Sequence, residues 1–180
     1  MPKTVLCILG PGFEELEAIA PIDLLRRAGA TVTVASLTGE KWVTGRCQVT
    51  LQADAALREV DAQAFDLLLI PGGPGVKTLR TDGRPTQLAK AYVQAGKPVA
   101  AICAAPTVLM DAGLLEGKRF TAHFSVQNEL PQALANERVV LDGNLITSRG
   151  AGTAVDFGLA LVRRLFGDNA AQEVAKAIMF

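Results

Sequence analysis

Pro98-Val99-Ala100-Ala101-Ile102-Cys103-Ala104-Ala105-Pro106 decides the fold: an apolar run ends in a cysteine and passes at once into small residues that open a helix-like segment. A buried strand that gives way abruptly to a helix leaves its last side chain at the carboxyl edge of a sheet, and small neighbours let the backbone turn sharply there. Cys103 is therefore expected at a nucleophile elbow. Over a helix N-terminus the dipole and free backbone N–H groups favour the thiolate, and such surroundings lower a cysteine pKa from ~8.5 to roughly 3.5–7.5. The competing reading is a small buried core thiol, the common fate of free cysteine.

Outward from this stretch the pattern alternates. Thr4–Leu9 is a β-branched and apolar run stopped by Gly10-Pro11-Gly12, as a buried parallel strand would be. Phe13–Ala28 reads as a helix with Glu14, Glu15 and Glu17 at its positive end, Arg26 and Arg27 at its negative end, and Gly29 closing it. Pro21 inside it should kink the helix or break one backbone hydrogen bond. Thr31–Leu37 and Phe65–Ile70 read as strands, with a partly polar hairpin over Lys41–Gln52. Arg84–Ala95 reads as a helix ended by Gly96, and Thr107–Ala112 as the continuation of the helix opened by the cysteine. Arg119–Ala122 is a short extended piece delivering His123, the only histidine; Arg138–Leu141 and Leu145–Thr147 form a hairpin, and Ala154–Phe166 and Asp168–Ile178 are helices. Gly150 and Gly152, just before the first of these helices, read as turn glycines. Strand and helix alternation with right-handed crossovers predicts an α/β fold: a doubly wound, mostly parallel sheet, helices on both faces, the site at the carboxyl ends of the strands.

Composition narrows the function. The 180 residues, 49% hydrophobic, suffice for one well-buried domain spanning 1–180. Lys plus Arg equals Asp plus Glu at 18 each, without the basic footprint of a nucleic-acid or membrane-surface binder. Cys7, Cys47 and Cys103 are odd in number and widely spaced, which argues against a disulfide framework or a zinc site. No apolar run reaches the ~18–20 residues that span a bilayer. A cytoplasmic protein with no metal, no cofactor and a small neutral partner, or none, is the expectation.

Three groups carry the candidate chemistry. Cys103 is the nucleophile, and Pro71-Gly72-Gly73-Pro74-Gly75 after the third core strand is a turn whose N–H groups converge on an oxyanion. The turn lacks G-x-x-x-x-G-K-[ST], and no G-x-G-x-x-G follows Leu9, which sets phosphate binding aside. Glu17 is the acid: a carboxylic acid beside a thiolate avoids like-charge repulsion by holding its proton. Glu14 and Glu15 read instead as solvated partners of the helix dipole, Cys7 as an inert core thiol and Cys47 as an exposed thiol with nothing to activate it. The Phe13–Ala28 helix has two apolar sides, one with Leu16, Ile19, Ala20 and Leu24, the other with Ala18, Ile22 and Leu25, so a partner subunit is expected to cover one of them.

Taken together, G-x-E-E-x-E in Gly12–Glu17, L-R-R-A-G in Leu25–Gly29, L-I-P-G-G in Leu69–Gly73, A-A-I-C-A-A-P in Ala100–Pro106 and T-S-R-G-x-G-T in Thr147–Thr153 resemble the ThiJ/PfpI superfamily, in the branch of the Parkinsonism-associated deglycase and its YajL-like bacterial relatives. The resemblance covers essentially the whole chain. It implies a flavodoxin-like homodimer, a cysteine readily oxidised to the sulfinic acid, an oxidative-stress role, and cofactor-free glyoxalase or deglycase activity on methylglyoxal or its glycated adducts. By motif, Cys103 takes the place of the family nucleophile, Glu17 that of the acid hydrogen-bonded to its sulfur and His123 that of the nearby histidine, with Gly73 and Ala104 supplying oxyanion N–H groups. The chain departs from the pattern at Phe124, where relatives often carry proline, and at Ala151, which replaces the proline of R-G-P-G-T.

Two function classes follow: an enzyme for reactive carbonyls, or a redox sensor or holdase chaperone whose Cys103 reports peroxide. A peptidase is disfavoured because such relatives use a histidine adjacent to the cysteine, where Ala104 stands here. A glutamine amidotransferase would need a late His-x-Glu pair, and His123 is the sole histidine.

Overall fold

The computed structural model describes residues 2–180. In chain order its strands are β1 (Thr4–Leu9), β2 (Thr31–Ser36), β3 (Trp42–Thr44), β4 (Thr50–Gln52), β5 (Ala55–Ala56), β6 (Leu67–Ile70), β7 (Val99–Ile102), β8 (Val139–Asp142) and β9 (Leu145–Ser148). Its helices are α1 (Glu15–Arg27), α2 (Val76–Asp82), α3 (Arg84–Gln94), α4 (Pro106–Asp111), α5 (Ala154–Phe166) and α6 (Asp168–Ala177). Seven strands form one sheet in the order β5-β2-β1-β6-β7-β9-β8, parallel except for the antiparallel β8, while β3 and β4 make a separate hairpin. This is the α/β, flavodoxin-like arrangement expected from the alternation of elements.

Both faces of the sheet are covered because successive strand side chains point to opposite sides. Val5, Cys7 and Leu9 of β1, Leu67 and Leu69 of β6, and Ala100 and Ile102 of β7 join one core with α1, α5 and α6. Leu6, Ile8, Leu68, Ile70, Val99 and Ala101 join the other, beneath α2, α3 and α4. Near-continuous apolar runs are what strands buried on both faces require. Cys7 is fully buried there, and burial pushes its thiol well above the ordinary range, as befits an inert core residue.

The order of pairing reverses at β1: the chain moves from β1 to β2 on one side and later to β6 on the other. Loops leaving the carboxyl ends of β1 and β6 therefore meet, and a crevice at such a switch point is where open α/β sheets bind ligands. They are tied together by Glu14 N–H donating to the Gly72 carbonyl at 3.0 Å and Gly75 N–H to the Gly12 carbonyl at 3.0 Å.

Several elements differ from the sequence expectation. Helix α1 begins two residues later and ends one residue earlier than expected and continues through Pro21, whose missing N–H leaves one backbone hydrogen bond unmade as expected; α5 approaches there so closely that a Cβ on Gly158 would lie 3.0 Å from the Pro21 Cα. Its faces divide differently as well. Leu24 is buried along with Ala18, Pro21, Ile22 and Leu25, leaving Leu16 (59% exposed) and Ile19 (41% exposed) as the uncovered apolar residues. The helix after Cys103 starts three residues later, at Pro106, and has only six residues, so Cys103 occupies a turn and does not open the helix. Arg119–Ala122 forms no strand, since β9 is already paired on both sides; Thr121 N–H instead donates to the Thr147 hydroxyl at 3.0 Å. Helix α2 and the two-residue β5 were not expected from the sequence. Val76–Asp82 lies between the glycine-rich turn and Gly83, whose left-handed φ of +80° ends α2 and begins α3, and it is too short to display an apolar period.

Candidate active site

Cys103 has a φ of +66°, a left-handed conformation that is uncommon for a residue with a side chain and marks strained turns at functional sites. Its consequence is visible in the packing. Strict alternation along β7 would send Cys103 to the side of Val99 and Ala101, yet it packs with Ala100 and Ile102 in the core of α1 and α5. The elbow is fixed by Cys103 N–H donating to the Ser148 carbonyl at 2.8 Å and by the Cys103 carbonyl accepting from His123 N–H at 2.9 Å. The side chain is 8% exposed, and the N–H groups of Gly73 and Ala104 donate toward its sulfur.

Glu17 approaches from α1. It is 1% exposed; its Oε2 accepts from the Gly72 N–H at 3.0 Å, and its Oε1 is buried without a partner among the described residues. Glu14 positions it as the N-cap of α1, its carboxylate accepting from the Glu17 N–H at 2.9 Å. Gly72 lies between acid and thiol, so tightly that a Cβ there would stand 2.5 Å from Glu17 Oε2 and 2.6 Å from the Cys103 Cβ. Only glycine fits.

Burial pushes the Glu17 carboxyl up to about 7, opposed by the nearby Cys103 thiol and the Gly72 N–H and reinforced by the neighbouring Glu14 charge. Burial likewise pushes the Cys103 thiol up to about 12, with the Glu17 charge as the next cause, while the Gly73 and Ala104 N–H groups act in the opposite sense. Part of the thiol's rise is the Glu17 charge itself, which vanishes when Glu17 is protonated. The direction that holds is that burial raises both groups, so near neutral pH the pair carries at most one negative charge. The thiol is thus raised, chiefly by burial, where the sequence led to the expectation of a lowered one.

His123 stands beside this pair without a hydrogen bond to either side chain. Its Nδ1 accepts from the Ser125 N–H at 3.2 Å and lies 2.9 Å from the Ser125 hydroxyl, which leaves the proton of the neutral ring on Nε2. Burial, and secondarily the Arg46 charge, lower its pKa and favour that neutral form. Phe124, at the departure from proline, is 79% exposed and stacks against the imidazole with centroids 4.1 Å apart.

The candidate residues thus converge, with changes of role. The Gly73 and Ala104 N–H groups face the sulfur, but Gly72, expected as an oxyanion donor, spends its N–H on Glu17 and holds the acid instead. Glu14 and Glu15 are not solvated: both are buried, and Glu15 Oε1 accepts from the Cys47 N–H at 2.7 Å and the Val49 N–H at 3.3 Å, clamping the β3–β4 turn. Gly150 does more than turn the chain, since a Cβ there would lie 3.2 Å from the His123 Cδ2 and 4.0 Å from Glu17 Oε1. Sequence reasoning missed Arg46, which lines the same cleft as Cys103 from the clamped turn; no local pattern marks a hairpin arginine for that place. Among the described residues, no group of three or more His, Cys, Asp or Glu is placed to hold a metal, and no helix is long and apolar enough to cross a membrane.

The model of the DJ-1/PfpI family matches residues 3–164. The chain belongs to that family. DJ-1beta of Drosophila melanogaster is 41% identical over 183 residues, covering 99% of this chain and 98% of that protein. The crystal structure of that DJ-1beta superposes with a TM-score of 0.91 at 40% identity, over 99% of this chain and 98% of the other. Two further relatives bear names that mention chemistry. Deglycase TK1284 of Thermococcus kodakarensis is 36% identical over 151 residues (82% of this chain, 90% of that protein). The putative cysteine protease YraA of Bacillus subtilis is 41% identical over 152 residues (83% and 90%).

Proposed function

We propose that this DJ-1/PfpI protein is a cysteine-dependent, cofactor-free enzyme that acts on reactive carbonyls, methylglyoxal or its glycated adducts, with Cys103 as nucleophile and Glu17 as acid. One observation carries the reading: a buried carboxyl raised to about 7, with one oxygen unpartnered, beside a thiol toward which two backbone N–H groups point. In the productive protonation state the proton sits on Glu17 Oε1 and the charge on sulfur. Thiolate attack on the aldehyde carbon forms the S–C bond and moves the carbonyl electron pair to oxygen. The Gly73 and Ala104 N–H groups stabilise that oxygen, and Glu17 protonates it, leaving a neutral hemithioacetal and a carboxylate. The name of the Thermococcus relative supports carbonyl adducts as the substrate class; the adjacent-histidine argument and Ala104 weigh against peptidase chemistry.

The same donors would hold a sulfinate, so a redox-sensing role for Cys103 is the second reading. A homodimer covering Leu16 and Ile19, and a cytoplasmic location with one domain over 1–180, complete the proposal. The deciding experiment is methylglyoxal turnover by rigorously purified wild type beside Cys103→Ser. Loss of turnover in the variant supports the enzyme reading. Turnover that persists in Cys103→Ser refutes it.

A further inference from the structure

The cleft over Cys103 has a volume of about 500 Å³. That is in the range of pockets for drug-sized ligands and well beyond what a three-carbon carbonyl fills. Three cations line it: Arg46, Lys77 and Arg80. Arg80 is paired with two carboxylates, Asp111 at 2.6 Å and Glu129 at 2.8 Å, of which Glu129 also lines the cleft, so this trio adds no positive charge to it. Arg46 and Lys77 have no carboxylate within ion-pair distance among the described residues.

Arg46 is held in place by its backbone. Its N–H donates to the Phe13 carbonyl at 2.9 Å, and the next residue, Cys47, is fastened to the buried Glu15 carboxylate at 2.7 Å. Its charge reaches both Glu17 and His123. Lys77 enters from the first turn of α2, directly after the glycine turn that supplies the Gly73 N–H. With Glu129 counted beside Arg80, the lining side chains Arg46, Lys77, Arg80 and Glu129 still carry more positive than negative charge, and the two unpaired cations share a concave surface with the nucleophile, where field lines are focused and an anion is drawn in.

We propose that Arg46 and Lys77 form an anion subsite in the Cys103 cleft, and that the enzyme favours carbonyl compounds carrying a carboxylate or similar anionic group a few atoms from the reacting carbon over neutral ones of the same size. This rests on the reading of Cys103 as nucleophile. The subsite adds charge recognition at the cleft wall to the attack geometry at its base.

The test uses two alkylating reagents of nearly equal size, iodoacetate and iodoacetamide. Each forms the same S–C bond to the Cys103 thiolate and expels iodide; they differ in charge alone. The ratio of their rates at Cys103, read by mass spectrometry, cancels the thiolate fraction and so isolates the subsite. Wild type should give a higher iodoacetate-to-iodoacetamide ratio than a small reference thiol. Lys77→Gln and Arg46→Gln should each lower it about threefold and the double variant about tenfold, and high salt should lower the wild-type ratio toward that of the double variant. Both side chains are exposed, so the variants retain the fold. A ratio unchanged in the double variant overturns the subsite and leaves the nucleophile standing. Absence of Cys103 alkylation by either reagent in wild type overturns the nucleophile reading and the subsite with it.

Discussion

The backbone N–H of Gly72 donates to Oε2 of Glu17 at 3.0 Å, joining residues 55 positions apart. Because this bond occupies Oε2, the second oxygen of a fully buried carboxyl is left to face the site unpaired. An unsatisfied buried oxygen costs roughly 1–3 kcal/mol. A proton on that oxygen, donated to sulfur or substrate, relieves the cost. In the proposed mechanism this is the oxygen that carries the acid proton.

Gly72→Ala tests the spacing between acid and thiol. The added Cβ would meet Glu17 Oε2 at 2.5 Å, the Cys103 Cβ at 2.6 Å and the Ile102 carbonyl at 2.7 Å, the last of these being backbone. Stability should fall by about 1–3 kcal/mol in urea titration, and Cys103-dependent turnover should vanish even at temperatures where the variant is folded. A fully active Gly72→Ala would mean that the acid and thiol do not act across this residue.

Thiol reactivity should separate the three cysteines. Cys7 is fully buried with its thiol held far above the ordinary range, so iodoacetamide should not reach it until the protein unfolds. Cys103 should label in the native protein near neutral pH, as should the exposed Cys47. In Glu17→Gln the like charge beside the sulfur is gone, and Cys103 labelling should be at least as fast while carbonyl turnover falls for want of an acid proton. Equal, slow labelling of Cys7 and Cys103 in the native protein would contradict an activated thiol.

What was legible in the sequence was the frame. The runs at Thr4–Leu9 and Val99–Ile102 are apolar throughout because both faces are covered, and the signals at Gly29, Gly96 and Asp142-Gly143-Asn144 locate turns by backbone chemistry alone. The convergence of Cys103, Glu17 and His123 was legible through motif resemblance. What escaped depends on contacts across the chain. Glu15 looks like a surface acid on a helix start until the β3–β4 turn folds onto it, and Gly150 looks like an ordinary turn until the His123 ring is set against it. Gly72 misled because a glycine-rich turn offers several N–H groups, and only tertiary structure assigns one of them to Glu17.

The exposed apolar pair on α1 predicts the assembly. Leu16 and Ile19 stand one turn apart at 59% and 41% exposure on a helix whose other sides are covered within the chain. Sedimentation at micromolar concentration should give twice the 18.9 kDa chain mass. Leu16→Lys should shift the equilibrium toward monomer by about tenfold or more, since burying an unpaired ammonium opposes association. A wild type that sediments as monomer at high concentration would remove the dimer from the proposal.

Glu17 also sets a pH dependence whose sign is fixed. Its carboxyl is raised from 4.5 to about 7 in the folded protein, mainly by burial, so the native state binds that proton more tightly than the unfolded chain. The contribution is fully present below pH 4.5 and is lost as pH rises through about 7, where ionisation puts a charge into a site that water cannot reach. The ceiling on the loss is about 3 kcal/mol. Glu17→Gln keeps an oxygen to accept from Gly72 N–H and cannot ionise, so urea denaturation should find it more stable than wild type at pH 8, by about 2 kcal/mol, and no more stable at pH 4.5. The same pair of measurements in a Cys103→Ser background leaves Glu17 as the only member of the pair able to ionise. A pH-independent difference between Glu and Gln in that background would show that the buried carboxyl is not held neutral, and would remove Glu17 from the role of acid.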